Sequence, residues 1–336
     1  MTNSAKHPKV YRITMLSFGC VLFVYLFVQL GATEISSHVV RVGWYFALIT
    51  VIYLGYQLIR ASAYWECIAD HKHVSYWDVV RIRLSGEAIQ FITSSGPFLA
   101  EPAKVWLLRR RGLSTKSATA ATVAEYLIYM FTSAAFAIAG LTYLLNNFDL
   151  SRPASVVVKI VVLVAGIFLL AAVCAILCRV YLIGILVKEV SRLPVIRKYL
   201  HFDEKDVSDT EDLLFEVLRD RPLRFLSILA VEFAAQALLV LELIVLLRSI
   251  GQPFPALHPF VIEAADKFVV LAFFFIPGHV GAAEGANALI FKMVGLPAAA
   301  GFTLAIVRRL RSLLVTGLGL ALAPRWRDAL RNREPD

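Results

Sequence analysis

Three arginines inside an apolar stretch carry the first chemical signal in this chain. Arg308, Arg309 and Arg311 lie between Ala298 and Ala323, in a run otherwise suited to a membrane span. Arg308 stands 11 residues beyond Pro297. That is about 16 Å along a helix rising ~1.5 Å per residue, roughly halfway through a ~30 Å hydrocarbon core. A central arginine costs roughly 2.5–3.5 kcal/mol on insertion scales, so three persist only where they face protein or water. The chemistry they offer is anion binding, to a phosphate or a carboxylate. Arg308 and Arg311 share a helical face, and Arg309 points about 100° away.

Two breaks in apolar helices supply a second kind of anion site. One is Ser94-Ser95-Gly96-Pro97; the other is Pro277-Gly278-His279-Val280-Gly281. Proline removes a backbone donor, and glycine carries the largest entropy cost in a helix. A helix restarting after such a break presents free N–H groups and the positive end of its dipole. The plainer reading of each break is a kink without a ligand. Glu101 and Glu284 follow the breaks by about one turn. Each is either a cation or proton site or a first-turn acid favoured by the helix dipole. Glu101 can pair with Lys104 at i+3. Glu125 lies at a depth similar to that of Arg308, so a Glu125–Arg308 contact would neutralise both, as a structural pair or as part of the site. Glu232 and Gln236 share a face, Glu242 lies deeper on the same helix, and Asp266 with Lys267 reads as an ion pair at the outer mouth. Arg109, Arg110 and Arg111 read as a topology signal touching lipid headgroups. The H-x-H of His71 and His73 is a weak metal signal, because no carboxylate-histidine set at ligand spacing supports it.

The elements that must position these residues are membrane helices. With mean hydropathy +0.70 and 59% hydrophobic residues over 336 positions, the chain reads as polytopic. We read an all-α membrane protein with six transmembrane helices and two re-entrant helical hairpins in an inverted repeat. The spans are about Tyr11–Gly31, Val39–Ile59, Ser117–Leu145, Ala154–Leu182, Leu223–Leu247 and Ala298–Ala323. The hairpins are Val79–Arg111 and Pro259–Met293, and Tyr64, Trp65, Tyr76 and Trp77 read as interface anchors. One domain covers residues 1–336, with repeat 1 at about 39–145, a cytoplasmic loop at about 183–222 and repeat 2 at about 223–323. An acidic amphipathic helix falls near Thr210–Leu218. The first span reads as uncleaved. Cys20, Cys67, Cys174 and Cys178 have no disulfide or zinc context, and the latter two read as packing residues.

Repeat and orientation support each other. A shift of 183 residues superposes Ala100, Glu101, Ala103, Gly112 and Leu113 on identical residues, and sets Glu125 against Arg308. With both termini in the cytoplasm and each hairpin entering and leaving on one side, 25 Lys and Arg fall inside and 6 outside, a strong positive-inside bias. The hairpins then open to opposite sides, an arrangement found in alternating-access transporters with substrate near the midplane.

Nucleotide and hydrolase motifs are missing: there is no GxxxxGK[ST], GxSxG or HExxH. The longest polar stretch, of about 37 residues, is too short for a soluble catalytic domain. We expect no enzyme, no cofactor, no metal and no nucleic-acid partner.

The motifs resemble a known family. Gly96-Pro97, Ala100-Glu101, Lys104 and Gly112-Leu113 come first. Pro277-Gly278, Gly281, Glu284 and Gly295-Leu296 follow, then Arg308-Arg309-Leu310. Together they resemble the lysylphosphatidylglycerol synthase transmembrane region family, the flippase-like domain family, over roughly Tyr11–Ala323. The family includes the membrane half of the multiple peptide resistance factor, which moves aminoacylated phosphatidylglycerol between leaflets, and stand-alone members, some hopanoid-associated. The resemblance implies that Arg308 or Arg309, Glu101, Lys104 and Glu284 line a cavity. Two features depart from it: no soluble aminoacyl-transferase domain is seen, and no Tyr or Pro follows soon after the last-span arginines.

The expectation is therefore a bacterial inner-membrane lipid translocase. Its substrate-binding set is Ser94, Ser95, Gly96, Glu101, Lys104, Glu125, Pro277, Gly278, Gly281, Glu284, Arg308, Arg309 and Arg311. Membrane lipids are the expected partners, with a separate lipid-synthesising enzyme and a homodimer as further options. The alternatives are a secondary transporter of a small organic anion and a non-catalytic membrane partner of a lipid-modifying enzyme.

Overall fold

The computed structural model describes residues 21–72, 74–93, 97–181, 184, 204–272 and 280–322. Among these residues the chain is all helical. The helices are α1 (Val21–Gln29), α2 (Ala32–Val42), α3 (Tyr45–Glu66), α4 (Tyr76–Thr93), α5 (Pro97–Arg110) and α6 (Thr115–Asn147). Then come α7 (Arg152–Leu177), α8 (Glu204–Phe215), a π turn at Glu216–Asp220, and α9 (Pro222–Ser249). The last three are α10 (His258–Ala272), α11 (Ala282–Met293) and α12 (Ala298–Leu322).

Among the described residues, four helices, α3, α6, α7 and α9, are long and apolar enough to cross a membrane. A fifth span is possible if α1 and α2, bent by 93°, count as one. The 25-residue α12 has the length of a span but carries three arginines. The expected first span falls largely on residues before 21, outside the described set.

The second span differs from its expected bounds. Gly43, at φ 37°, separates α2 from α3, a conformation that a Cβ would strain. The helix expected over Val39–Ile59 therefore starts at Tyr45 and runs on to Glu66. Tyr64, expected at an interface, is wholly buried, and its hydroxyl lies 2.6 Å from Thr122 Oγ1.

The outside of the bundle is apolar. In α7 only Val158 and Ala165 are buried, while Leu163, Leu170 and Leu177 are each more than 60% exposed. Leaving such surface in water would cost about 25 cal/mol per Å², so lipid is its natural solvent. Cys174 and Cys178, expected in packing, are exposed on this helix.

Helix packing follows a paired pattern. The longest contact joins α3 to α9. α4 packs on α5, and α10 on α11. α5 packs on α6, and α11 on α12. Across the halves, α12 lies on α4 and α6 lies on α10. Exchanging α3–α6 with α9–α12 leaves this set of contacts unchanged. Asp78, near the start of α4, is 3.1 Å from Arg111, just past α5, so that helix pair opens at this end. Lys116 and its partners Asp206 and Asp209, at 2.7 and 2.6 Å, lie at the N-terminus of α6. The Lys116 contact holds the Asp209 carboxyl below the ordinary carboxylate range. The α10 pair opens at the other end, where the His258 ring meets Phe148 beyond the C-terminus of α6.

Close approach at a glycine seals both cross-half contacts. A Cβ on Gly319 of α12 would sit 2.3 Å from the Leu84 carbonyl oxygen of α4, and one on Gly140 of α6 would sit 2.3 Å from Ala264 Cβ of α10. Overpacking of this kind costs roughly 1–3 kcal/mol. Gly319→Ala is accordingly expected to lower the unfolding midpoint of the purified protein in detergent. Gly317→Ala, with nothing within 4 Å, should leave it unchanged or raise it. Equal midpoints for the two variants would refute the tight α12–α4 contact.

Candidate functional site

Among the described residues, the interior holds two charged clusters, one per half. The first is built around Glu125 of α6, 1% exposed. Arg60 Nη2 of α3 and Arg83 Nη1 of α4 both donate to Glu125 Oε1, at 2.6 and 2.7 Å. Lys104 Nζ of α5 donates to Glu125 Oε2 at 3.1 Å and lies 2.7 Å from Glu101 Oε2. Arg60 Nε also donates to Glu232 of α9 at 3.2 Å. Aromatic faces complete the surround: the Arg60 guanidinium stacks 3.8 Å over Tyr129, and Lys104 Nζ lies 5.1 Å over Tyr64. Such contacts gain strength where water is excluded.

The second cluster is built around Arg308 of α12. Its Nε donates to Glu242 of α9 at 3.3 Å, Nη1 to Asp266 of α10 at 2.8 Å, and Nη2 to Glu263 of α10 at 2.5 Å. Arg311 Nη1 also donates to Glu242. Lys267 Nζ lies 2.8 Å from Glu263. Arg309, on the other side of α12, pairs with Glu284 of α11 at 2.7 Å. Glu284 Oε2 in turn accepts from the Gly281 N–H at 2.7 Å, so the acid caps its own helix.

The two clusters have the same layout with the signs exchanged. In the first, a carboxylate on the last helix of the half gathers cations from the first helix and from the first limb of the helix pair. In the second, a guanidinium gathers carboxylates from the corresponding places. The 183-residue shift that sets Glu125 on Arg308 also sets Arg83 on Asp266 and Glu101 on Glu284, and places Arg60 one residue from Glu242. A bridge of hydrogen bonds and one cation–π contact joins them. Arg83 Nε donates to Gln57 Oε1 at 3.0 Å, and Gln57 Nε2 donates to the Tyr53 hydroxyl at 3.0 Å. That hydroxyl donates to Glu87 at 2.7 Å, and the Arg311 guanidinium stacks 3.6 Å over the Tyr53 ring.

Several expectations are corrected here. Glu125 and Arg308 do not meet, because each is already surrounded by opposite charges from three other side chains. Asp266 and Lys267 are not partners of each other: Asp266 turns to Arg308, and Lys267 reaches back one turn to Glu263. Arg60 and Arg83, counted among the 25 inside charges, are 7% and 6% exposed within helices. Ser94, Ser95, Gly96, Pro277 and Gly278 lie outside the described residues, whereas Gly281 is placed against Glu284. The expected Glu101–Lys104 pair is present. The charge inversion at 83 and 266 was the sequence signal that could have revealed Arg83. Tyr53 and Gln57 left no such signal. The His71 ring lies 4.1 Å from that of Trp65, tilted by 39°, and His71 Nε2 is 3.0 Å from the Trp65 carbonyl oxygen.

An apolar helical exterior around a paired, charged interior defines a multi-pass membrane protein. Residues 12–319 match the family model described as lysylphosphatidylglycerol synthase TM region. The chain belongs to that family, as its motifs implied. Neither a curated protein nor a solved structure matches the chain.

Proposed function

We propose that this protein is a flippase-like lipid translocase of the bacterial inner membrane. It moves a lipid with a polar headgroup between leaflets: an aminoacylated or anionic phospholipid, or an isoprenoid or hopanoid lipid. The observation that carries the reading is the pair of sign-exchanged charge clusters buried beneath an apolar exterior. Fourteen or more ionised groups in a lipid-embedded core are costly, and such groups mark substrate or ion paths by default. Membership of a family named for lysylphosphatidylglycerol supports a lipid substrate.

In this reading the halves form an inverted repeat. The α4–α5 and α10–α11 pairs are re-entrant hairpins opening to opposite sides, and both termini are cytoplasmic. The unchanged contact set on exchanging halves supports this, as does the 25-to-6 distribution of Lys and Arg. The headgroup anion takes the place of a carboxylate on Arg309 and Lys104. Arg309 is the better contact of the three last-helix arginines, because its side chain is 26% exposed and Glu284 is the salt-bridge partner it must exchange. Arg308, engaged by a carboxylate at each of its three nitrogens, positions rather than binds. The protein carries lipid without making or breaking covalent bonds.

The test is lipid scrambling in proteoliposomes with labelled phosphatidylglycerol, its aminoacylated form and a polyprenyl phosphate. Arg309→Ala is expected to slow movement of the transported lipid by at least about tenfold, the scale of one charge-assisted hydrogen bond. Glu284 keeps the Gly281 N–H in this variant, and thermal unfolding in detergent separates a loss of transport from a loss of fold. Native rates in Arg309→Ala would overturn the headgroup assignment. Movement of none of the three lipids by the native protein, accompanied by saturable uptake of a soluble organic anion, would overturn the lipid reading.

A further inference from the structure

We propose that the junction between α5 and α6 is a binding site for a phosphate monoester, separate from the two buried clusters. An open groove of about 530 Å³ lies there, lined by Trp106, Arg109, Arg110, Leu113, Ser114 and Thr115. Small-ligand sites run from about 300 to 1,000 Å³. Gly112, at φ 98°, lets the chain turn between the two helices. The turn brings the cationic end of α5 beside the N-terminus of α6. The three arginines that read as one cluster in the sequence separate here. Arg111 pairs with Asp78 at 3.1 Å, whereas Arg109 and Arg110 line the groove. Among the described residues, no ion pair joins Arg109 or Arg110 to a carboxylate. Neighbouring acids are engaged elsewhere: Asp78 with Arg111, and Asp206 and Asp209 with Lys116.

The lining supplies donors and positive charge. The Arg110 guanidinium stacks 4.0 Å over the Trp106 ring. Stacking uses the face of the guanidinium and leaves its in-plane N–H groups able to donate. Arg109 supplies a second planar fork. Ser114 caps α6: its hydroxyl accepts from the Ser117 N–H at 3.2 Å, and its carbonyl oxygen accepts from the Ala118 N–H. The Thr115 N–H, at the first helical position, has no intrahelical acceptor. A phosphate monoester carries a charge of about −1.5 to −2 at neutral pH and three terminal oxygens. Two guanidinium groups match that charge, and each can bind phosphate through two parallel N–H bonds. A phosphodiester, with one charge and two such oxygens, meets only half of what the groove offers.

The repeat supplies a control within the same chain. The 183-residue shift sets Gly112 and Leu113 on Gly295 and Leu296, and both glycines have positive φ. The same shift sets Trp106 on Leu289, Arg109 on Lys292, Arg110 on Met293, Ser114 on Pro297 and Thr115 on Ala298. The turn is thus built twice, but the paired guanidinium groups, the stacked ring and the cap hydroxyl occur once, so the turn does not need them in order to fold. A topology signal asks only for positive charge, which lysine supplies as well as arginine. Exchanging the arginines for lysines therefore separates the two roles. Arg109 lies five residues along α5 from Lys104, about 7 Å by helical rise. The groove accordingly serves as an entry station for a headgroup bound for Lys104, and only this use of it rests on the translocase reading.

The experiment uses the full chain in detergent, with bound lipid measured by native mass spectrometry as phosphatidic acid or phosphatidylglycerol is added. Phosphatidic acid, the monoester, is expected to bind at least about tenfold more tightly, the scale of one charge-assisted hydrogen bond. Arg109→Lys combined with Arg110→Lys keeps the charge and is expected to weaken phosphatidic acid binding about tenfold. Trp106→Leu removes the stacked ring, is expected to weaken it about fivefold, and carries the test if the double variant fails to fold. Equal affinity of the native protein for the two lipids overturns the monoester assignment. Native affinity in the variants overturns the groove as the site. Glycerol 3-phosphate distinguishes the source: displacement of phosphatidic acid at equal concentration assigns a soluble ester, and no displacement assigns the lipid, each supporting a monoester site. In proteoliposomes, slower movement of phosphatidic acid by the lysine variant supports the entry station. Unchanged movement overturns the station and leaves the translocase reading intact. Binding in the groove without movement of any lipid overturns the translocase reading and leaves the groove standing.

Discussion

Arg308→Ala is expected to destabilise the protein by about 3–5 kcal/mol, the usual result of removing one partner from a buried ion pair. The loss does not come from the arginine's own net contribution, since a buried pair and a well-packed apolar substitute can be equal in stability. It comes from what remains: Glu242, Glu263 and Asp266 would face one another across the space the guanidinium filled. Arg311 and Lys267 would still hold Glu242 and Glu263, so the greatest strain falls on Asp266. Asn287 Nδ2, donating to Asp266 Oδ1 at 2.9 Å, would be its remaining hydrogen-bond donor among those described. Arg308→Lys should recover only part of the loss, because an ammonium cannot reproduce a three-way planar fork. Adding Asp266→Asn to Arg308→Ala should restore more. Thermal unfolding in detergent, read as a double-mutant cycle, checks this. A native melting temperature for Arg308→Ala would mean that the three carboxylates do not depend on it. One practical consequence concerns transport assays: inactivity of Arg308→Ala would report on folding, which is why Arg309 is the better probe of the headgroup.

Glu125→Ala is expected to cost a similar amount, about 3–5 kcal/mol, with opposite chemistry. Arg60, Arg83 and Lys104 would be left close together with their shared carboxylate gone. Replacement by glutamine separates the contributions. Both guanidinium groups bond Oε1, and Lys104 bonds Oε2. An amide can keep its oxygen toward the two arginines, but its nitrogen then faces the lysine, donor against donor. Glu125→Gln should therefore fall between alanine and native in stability. Lys104→Met should rescue Glu125→Gln more than it rescues Glu125→Ala. Equal rescue of both would show that the lysine is not held by the second oxygen.

Some of this architecture was legible in the sequence. The apolar runs located α6, α7 and α9 to within a few residues, because long apolar segments in lipid have few alternatives to a helix. The two breaks separated α4 from α5 and α10 from α11, where proline and glycine act locally. The opposition of Glu125 and Arg308 was visible as a repeat, and so was the divergence of Arg309 from Arg308, which follows from helix geometry alone. Partners were not legible. Arg60 looks like a charge ending a span, yet α3 continues to Glu66 because Glu125 and Glu232, distant in sequence, neutralise the guanidinium. Tyr64 looks like an interface anchor, yet its hydroxyl finds Thr122 inside the bundle. Nothing within a window of twenty residues contains that information. The expected Glu125–Arg308 pair failed for the same reason: two equivalent positions in a repeat need not touch, and each had nearer partners.

The cross-half contacts have a consequence for biosynthesis. α4 emerges from the ribosome more than two hundred residues before α12, its packing neighbour. Until α12 arrives, Leu84 and its turn have no glycine-lined helix to lie against. The first half cannot be finished before the second exists. Its early helices must wait in the membrane, held by the translocon or by provisional contacts. A chain that stops short of residue 298 would leave that half open beside α4, and such a product is a natural substrate for membrane proteases.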